Sequence, residues 1–340
     1  MDKMVINNII CPNCQSGIFT LLPFDSDAND IREGIITCDE CGIWYRIEGG
    51  VLDLLTLTLR RQDLYANFAK KYNLVPSVSE PVNVNQQKLG QIQFFKGDVP
   101  DYERNVAMST HYRARVALTF ERWFNQNYKS ITAPILELGC GTGTETIKIA
   151  DKHISAICID ISEEMIRTAK SKIDKLENHA NINFITGDAE CPPVKDNMFG
   201  ACVMCGTLHH LSSPQTAIKN LSSKLVDGGL FFSFDPHDSC IRFLFDFLIR
   251  VWKLYEDQAN DNPLFNANDL SAWLTDAGIH NTISYSTYLP PHAFLFFDDA
   301  TSLTVLKITD SIMNKIPLMY KFSGLIMAEG VKCNLPEKMR

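Results

Sequence analysis

The chain of 340 residues has no uninterrupted apolar run long enough to form a bilayer-spanning helix. Its most aromatic stretch, Ile241 to Tyr255, is broken by Arg242, Asp246, Arg250 and Lys253. A secretory leader is not expected either, because Met1 to Ile10 is polar and short. Positive charge is in deficit: 32 Lys and Arg against 40 Asp and Glu give a net charge of −8. Such a balance argues against a surface built to track phosphates, although local pairs such as Lys70-Lys71 or Arg113 with Arg115 remain. Internal repeats and low-complexity tracts are missing, which sets aside solenoids and disordered tails. Cysteine, by contrast, is plentiful. Eleven of them without a secretory signal point to a reducing, cytoplasmic setting and not to a disulfide scaffold. The rest of the composition, 45% hydrophobic and 21% charged, is that of an ordinary globular chain.

The most informative stretch that is present is Ile135-Leu136-Glu137-Leu138-Gly139-Cys140-Gly141-Thr142-Gly143. Apolar residues lead into an acid, three glycines alternate with small residues, and a helical pattern follows from Glu145 to Asp151. This is a buried strand ending in a tight turn whose backbone approaches a ligand closely, where a Cβ would collide or forbid the dihedrals. About twenty residues beyond the first glycine, the strand-like Ser155-Ala156-Ile157-Cys158-Ile159 ends in Asp160, which suits ribose hydroxyls. A glycine loop with a distal acid implies a nucleoside-containing cofactor. The spacing is G-x-G-x-G and not the dinucleotide G-x-G-x-x-G, and Glu137 would repel a pyrophosphate while suiting an ammonium and a sulfonium.

Here the sequence resembles the class I S-adenosylmethionine-dependent methyltransferases, over roughly Ala133 to Pro236. Ile159-Asp160-Ile161-Ser162-Glu163-Glu164-Met165 resembles the family's acidic ribose loop. Thr186-Gly187-Asp188-Ala189-Glu190 resembles the turn whose Asp meets the adenine amino group. Cys205-Gly206-Thr207-Leu208-His209-His210-Leu211 matches the loop after the fourth strand, and Leu225-Val226-Asp227-Gly228-Gly229-Leu230 the turn into the fifth. The resemblance implies a Rossmann-like α/β fold with a mostly parallel sheet of seven strands. It also implies S-adenosyl-L-methionine bound by Glu137, Gly139, Gly141, Gly143, Asp160, Ile161, Met165, Asp188, Ala189 and Cys205.

Two C-x-x-C knuckles, Cys11-Pro12-Asn13-Cys14 and Cys38-Asp39-Glu40-Cys41, offer four thiolates, the set structural zinc takes. The intervening 23 residues (38−14−1) leave room for a hairpin tip at Asp25 to Asp30. Two disulfides or unrelated buried cysteines are the alternative, the former disfavoured by the reducing setting. Ile10 to Leu55 also resembles the small zinc-ribbon activator of tRNA and translation-factor methyltransferases, in the knuckles, in Ile43-Trp44-Tyr45-Arg46-Ile47 and in Gly49-Gly50-Val51-Leu52-Asp53-Leu54-Leu55. That activator is normally a separate partner, whereas here the module is fused in front. A shared ribbon does not imply a shared substrate. If the ribbon is its own module, metal loss should unfold it and spare the rest.

The expected organisation is a ribbon over 1–58, a helical linker or lid over 59–108 and a methyltransferase domain over 109–340. Gln62 to Tyr72 reads as a helix, Asn73 to Pro100 as the least regular part, and Tyr112 to Tyr128 as one helix packed on the sheet. Strands are expected near Ile135, Ile157, Ile182, Ala201 and Leu230, with Ile283 to Tyr288 and Gly324 to Val331 as the last pair. An insertion at about 238–263 falls where the family places substrate-selecting elements.

Methyl transfer is an in-line displacement driven by alignment in a dry site, so a base is needed only if the acceptor must lose a proton. His209 and His210 are the first candidates, either as hydrogen-bonding and pocket-lining groups or as a base. Asp235 and His237 are the second, with a turn or capping role as the alternative. Cys202 and Cys205, three apart on a strand, would point to opposite faces and do not suit a metal. Cys191, before two prolines, suits a loop near the adenine. Phe243, Phe245, Phe247, Trp252, Tyr255 and the Tyr288 to Phe297 stretch suit an apolar acceptor cavity or plain core packing. The expected reaction is methyl transfer to a small-molecule or lipid-like acceptor. Two alternatives stand beside it: an RNA or translation-factor methyltransferase gripping its substrate through the ribbon, and a non-catalytic cofactor-binding regulatory module.

Overall fold

A computed structural model describes residues 1–75, 85–103, 110–177, 181–239, 265–286, 298–313, 315–316 and 318–333. Residues 240–263 of the expected insertion at about 238–263, and the Tyr288 to Phe297 stretch, lie outside the described residues. The chain divides into two compact units. Unit one comprises Met1–Val99 with Ala133–Phe199, and unit two Pro100–Thr132 with Gly200–Arg340.

Unit one begins with an antiparallel meander, β1 (Phe19–Ser26), β2 (Ile31–Cys38), β3 (Trp44–Glu48) and β4 (Val51–Asp53). After α1 (Gln62–Tyr72) and α2 (Gln86–Tyr102), the chain returns with β5 (Ile135–Leu138), α5 (Thr144–Ala150), β6 (Ala156–Asp160), α6 (Glu163–Ile173) and β7 (Ile182–Thr186). β5, β6 and β7 run parallel and are buried throughout apart from the half-exposed Ile182. That burial is why they read as continuous apolar runs and not as alternating ones.

The ribbon strands are part of this same sheet. β4 pairs in parallel with β7, Leu52 opposite Ile185 and Asp53 opposite Thr186, and Leu54 N–H donates to the Thr186 carbonyl at 2.8 Å. The order is β1-β2-β3-β4-β7-β6-β5. Three antiparallel pairings therefore extend a parallel core, which corrects the expectation of seven mostly parallel strands behind a separate ribbon. The physical reason is that β7 would otherwise be an edge with unpaired backbone groups, and β4 supplies its partner.

α1 forms as read from the sequence and closes on Asn73 in the left-handed region (φ 52°). Its Tyr65, Phe68 and Ala69 pack on Ile35 and Trp44. Within the stretch read as irregular, Gln86 to Tyr102 is helical. Leu89 and Ile92 there join a cluster with Leu55, Leu59 and Ile161, so the helix is fixed by tertiary packing.

Unit two opens with α3 (Thr110–Leu118) and α4 (Phe120–Asn127), where one helix was expected. The break is Thr119 (φ −112°, ψ −89°), whose hydroxyl donates back to the Arg115 carbonyl at 2.7 Å. α4 buries Phe120, Trp123 and Phe124, and the Trp123 ring stacks 4.8 Å from Phe232. The strands are β8 (Phe199–Cys205), β9 (Leu225–Pro236), β10 (Ile279–Ser286) and β11 (Leu325–Lys332), ordered β8-β9-β11-β10. β11 is antiparallel to both neighbours. Among the described residues, the unit also holds α7 (Pro214–Lys224), α8 (Ala267–Asp276) and α9 (Asp299–Met313). Among the described residues the strands number eleven, in a mixed arrangement.

Candidate active site

In unit one the glycine turn follows β5 directly. Gly139, Gly141 and Gly143 all take positive φ (71°, 51° and 82°). A Cβ on Gly143 would lie 2.9 Å from the Ala169 Cβ, so glycine here also lets α5 approach α6. The turn is held by the neighbouring strand: Gly139 N–H donates to the Ile159 carbonyl at 2.7 Å and Gly141 N–H to the Asp160 carboxylate at 2.8 Å. The other Asp160 oxygen accepts from Ser162 N–H at 2.9 Å, and Ser162 caps α6 through Met165 N–H. Asp160 is buried, and desolvation raises its pKa against these backbone donors.

Glu137 lies beneath the turn, buried, accepting from the Thr146 hydroxyl at 2.7 Å and the Cys158 thiol at 3.3 Å. Burial, with Glu145 and Asp160 nearby, pushes its carboxyl up to about 8. Ile161 packs with Leu55, Leu59 and Ile92, and Met165 and Ala189 are buried. After β7, Asp188 accepts from Glu190 N–H at 2.9 Å and from the Lys88 ammonium at 2.6 Å. Lys88 also meets Glu190 at 2.9 Å.

The four cysteines of the knuckles converge, with all four Sγ atoms within 4.8 Å of one another. Cys11 to Cys41 is 3.7 Å and Cys14 to Cys38 is 3.5 Å, near the ~3.8 Å edge of a tetrahedron with Zn–S bonds of ~2.3 Å. The Tyr45 hydroxyl lies 3.1 Å from Cys11 Sγ. Gln15 and Gly42, each the residue after a knuckle, take positive φ (64° and 69°), which turns the chain back around the sulfurs.

A buried ionic cluster joins the ribbon to α6. Arg46, on β3, meets Glu48, Asp53 and Glu163, and Arg167 meets Glu163 at 2.6 Å and Glu48 at 3.1 Å. The Arg60 guanidinium stacks 4.3 Å above the Tyr65 ring. Sequence reasoning named neither Arg46 nor Lys88 as functional. The one signal for Arg46 was a charge inside an otherwise apolar strand, and Lys88 left none.

In unit two, Cys205 ends β8 and is half-buried. Asp235, fully buried at the end of β9, accepts from His209 Nδ1 at 2.9 Å and from His209 N–H at 3.2 Å. Burial pushes the Asp235 carboxyl up, opposed by backbone donors and by Arg115. The His210 ring lies 3.9 Å from that of His209. His237 is not paired with Asp235. Its Nδ1 meets Ser323 Oγ at 2.8 Å, its ring lies 5.4 Å from Tyr285, and burial lowers its pKa.

Residues 135–229 match the family model described as a methyltransferase domain. A malonyl-[acyl-carrier protein] O-methyltransferase of Paenibacillus sp. is 28% identical over 219 residues, 60% of this chain and 78% of that protein. A ubiquinone/menaquinone biosynthesis C-methyltransferase of Rickettsia prowazekii is 31% identical over 114 residues, 32% of this chain and 46% of that protein. The matched region spans 59% of a demethylmenaquinone methyltransferase of Renibacterium salmoninarum, less than two thirds of its length. The magnesium protoporphyrin IX methyltransferase of Synechocystis, solved with bound SAH, superposes with a TM-score of 0.52 at 14% identity, over 72% of this chain and 99% of that one. That likeness concerns the fold. Residues 135–229 thus form a methyltransferase domain, and this domain with its methyltransferase relatives supports S-adenosylmethionine-dependent methyl transfer. No described helix is long and apolar enough to cross a membrane.

Proposed function

We propose that the protein methylates a small or lipid-like organic acceptor. The observation that carries this reading is the acceptor chemistry named for its relatives, malonyl-[acyl-carrier protein] in one and ubiquinone/menaquinone biosynthesis in another. S-adenosylmethionine supplies an electrophilic methyl group on a sulfonium. Unit one fits such a cofactor: a cradle of positive-φ glycines with backbone free to approach a ligand, and acids at three strand ends. Gly139, Gly141 and Gly143 would line the cofactor with backbone, Asp160 would accept the ribose hydroxyls and Asp188 the adenine amino group. Glu137 would balance the ammonium, with Ile161, Met165 and Ala189 as further contacts.

His209 is the candidate base. The tautomer that donates Nδ1–H to Asp235 puts the lone pair on Nε2, and the buried carboxylate stabilises the imidazolium once a proton arrives. His210 and His237 are the other candidates. Zinc is the proposed occupant of Cys11, Cys14, Cys38 and Cys41, in a structural role because four thiolates close its coordination shell.

Support for an organic acceptor over RNA also comes from the ribbon's charge. Residues 1–58 hold three basic side chains, Lys3, Arg32 and Arg46. Lys3 donates to backbone carbonyls, Arg32 meets Asp25 and Asp27, and Arg46 is buried among carboxylates. Little is left to grip phosphates.

The cofactor assignment is tested by Asp160→Ala. A hydrogen bond to a charged acceptor contributes about 1.5–3 kcal/mol, so affinity for S-adenosylmethionine should fall at least about tenfold in calorimetry. Unchanged affinity, or tighter binding of NAD, would sink it. For the acceptor, labelled cofactor with metabolite, RNA and protein extracts should place the label in the metabolite fraction.

A further inference from the structure

α2 brings a cation to the loop read above as the adenine-binding turn. Lys88 lies a hundred residues before Asp188 in sequence, yet its ammonium contacts Asp188 Oδ2 at 2.6 Å and Glu190 Oε2 at 2.9 Å. Leu89 and Ile92, on the same helix, pack against Leu55, Leu59 and Ile161, the residue after the ribose-loop Asp160. The helix therefore lies along both the ribose loop and the adenine turn, and Lys88 is a charged group it presents to the latter. All three charged side chains are largely buried, with 11%, 16% and 8% exposure for Lys88, Asp188 and Glu190.

A donor count shows what remains. An ammonium has three N–H donors, and two are taken by Asp188 and Glu190, leaving one. The Asp188 carboxylate has about four lone-pair positions, of which Lys88 and Glu190 N–H occupy two, so it can still accept. Side by side, the pair presents one acceptor and one donor. Adenine presents the complement, an amino donor flanked by ring-nitrogen acceptors.

We propose that Lys88 is a second adenine-reading residue, donating its remaining N–H to a ring nitrogen beside the amino group that Asp188 accepts. The inference rests on the assignment of Asp188 to the adenine. It makes α2, which lies outside the matched methyltransferase region, a contributor to cofactor selectivity.

The test is a chemical double-mutant cycle read by calorimetry on the full chain. The ligands are S-adenosylhomocysteine and its 1-deaza and 7-deaza analogues, in which one ring nitrogen becomes C–H. Wild type should bind one of the two analogues about tenfold more weakly than the parent, the loss expected for one hydrogen bond to a charged donor. Lys88→Met should bind the parent more weakly and lose that preference, while Lys88→Arg should keep part of it. Because the readout is a ratio on one protein, partial unfolding of a variant does not imitate the result. A wild type indifferent to both deaza changes, or a preference that persists undiminished in Lys88→Met, overturns the assignment of Lys88. Asp188→Asn is the control for the underlying reading. Unchanged affinity for S-adenosylhomocysteine in that variant would remove the adenine from this turn, and the inference with it.

Discussion

Glu137 shows how burial of one side chain ties stability to pH, and its proposed cofactor role ties binding to pH as well. Its carboxyl is pushed from an ordinary 4.5 up to about 8, chiefly by burial. Between those values the unfolded chain has lost the proton and the folded chain retains it, so this residue makes folding less favourable as pH rises from 4.5 to about 8. Glu137→Gln should flatten that slope, seen as a smaller fall in Tm between pH 5 and pH 8 than in wild type. Equal slopes would show that Glu137 does not titrate in this window. A cation bound beside it favours the ionised form, so cofactor binding should release a proton and strengthen as pH approaches 8. Calorimetry in buffers of different ionisation enthalpy measures that proton, and the glutamine variant should release less.

At the scale of elements, the ribbon and the parallel strands share hydrogen bonds. β4 is zipped to β7, and Arg46 connects β3 to Glu163 at the start of α6. Removing one partner of a buried ionic cluster costs about 3–5 kcal/mol, because the charges left behind keep their burial. Arg46→Met leaves Asp53 and Glu163 in that position, so Tm should drop sharply and cofactor affinity should fall with it. A Tm within a degree or two of wild type would mean the cluster is solvated in practice. The same coupling changes what metal loss should do. Metal analysis should find about one zinc per chain and none in Cys38→Ser/Cys41→Ser. An independent module would melt alone, whereas a ribbon hydrogen-bonded to β7 should lower the main transition. A separate early transition with the main one unmoved would restore the independent module.

For the whole molecule, the decisive quantity is charge. With a net −8 and the ribbon's cations bonded internally, acceptor binding should vary little with salt, whereas an RNA substrate that neutralises several phosphates would lose affinity steeply. Phe245→Ala and Trp252→Ala, in the segment outside the described residues, should raise the acceptor KM and spare cofactor affinity if that insertion forms the apolar cavity. Tight, salt-sensitive RNA binding with activity unmoved by those changes would reverse the choice of acceptor.

The glycine turn, the acids at 160 and 188 and the two cysteine knuckles were legible because each depends on local spacing: a tight turn needs glycine, and a knuckle needs two thiols two residues apart. β5, β6 and β7 were legible as apolar runs because burial on both faces leaves no alternation. What the sequence left open depends on contacts between distant segments. The addition of β4 to β7 is a backbone pairing that no side-chain pattern encodes. Asp235 and His237 were read together as pocket candidates, but which groups they meet was not in the sequence: the buried carboxylate meets His209 on the β8 loop, and His237 meets Ser323. Thr119 broke a helix whose apolar pattern ran straight through it, by returning its hydroxyl to Arg115. Lys88 lay in a stretch with no strong period, and only the packing of Leu89 and Ile92 made it a helix and carried an ammonium to Asp188. Local chemistry determined the turns, knuckles and strands of this protein. The partners of its buried charges were decided by tertiary structure, because a desolvated charge is stabilised by whichever opposite group the fold brings within reach, whatever its distance along the chain.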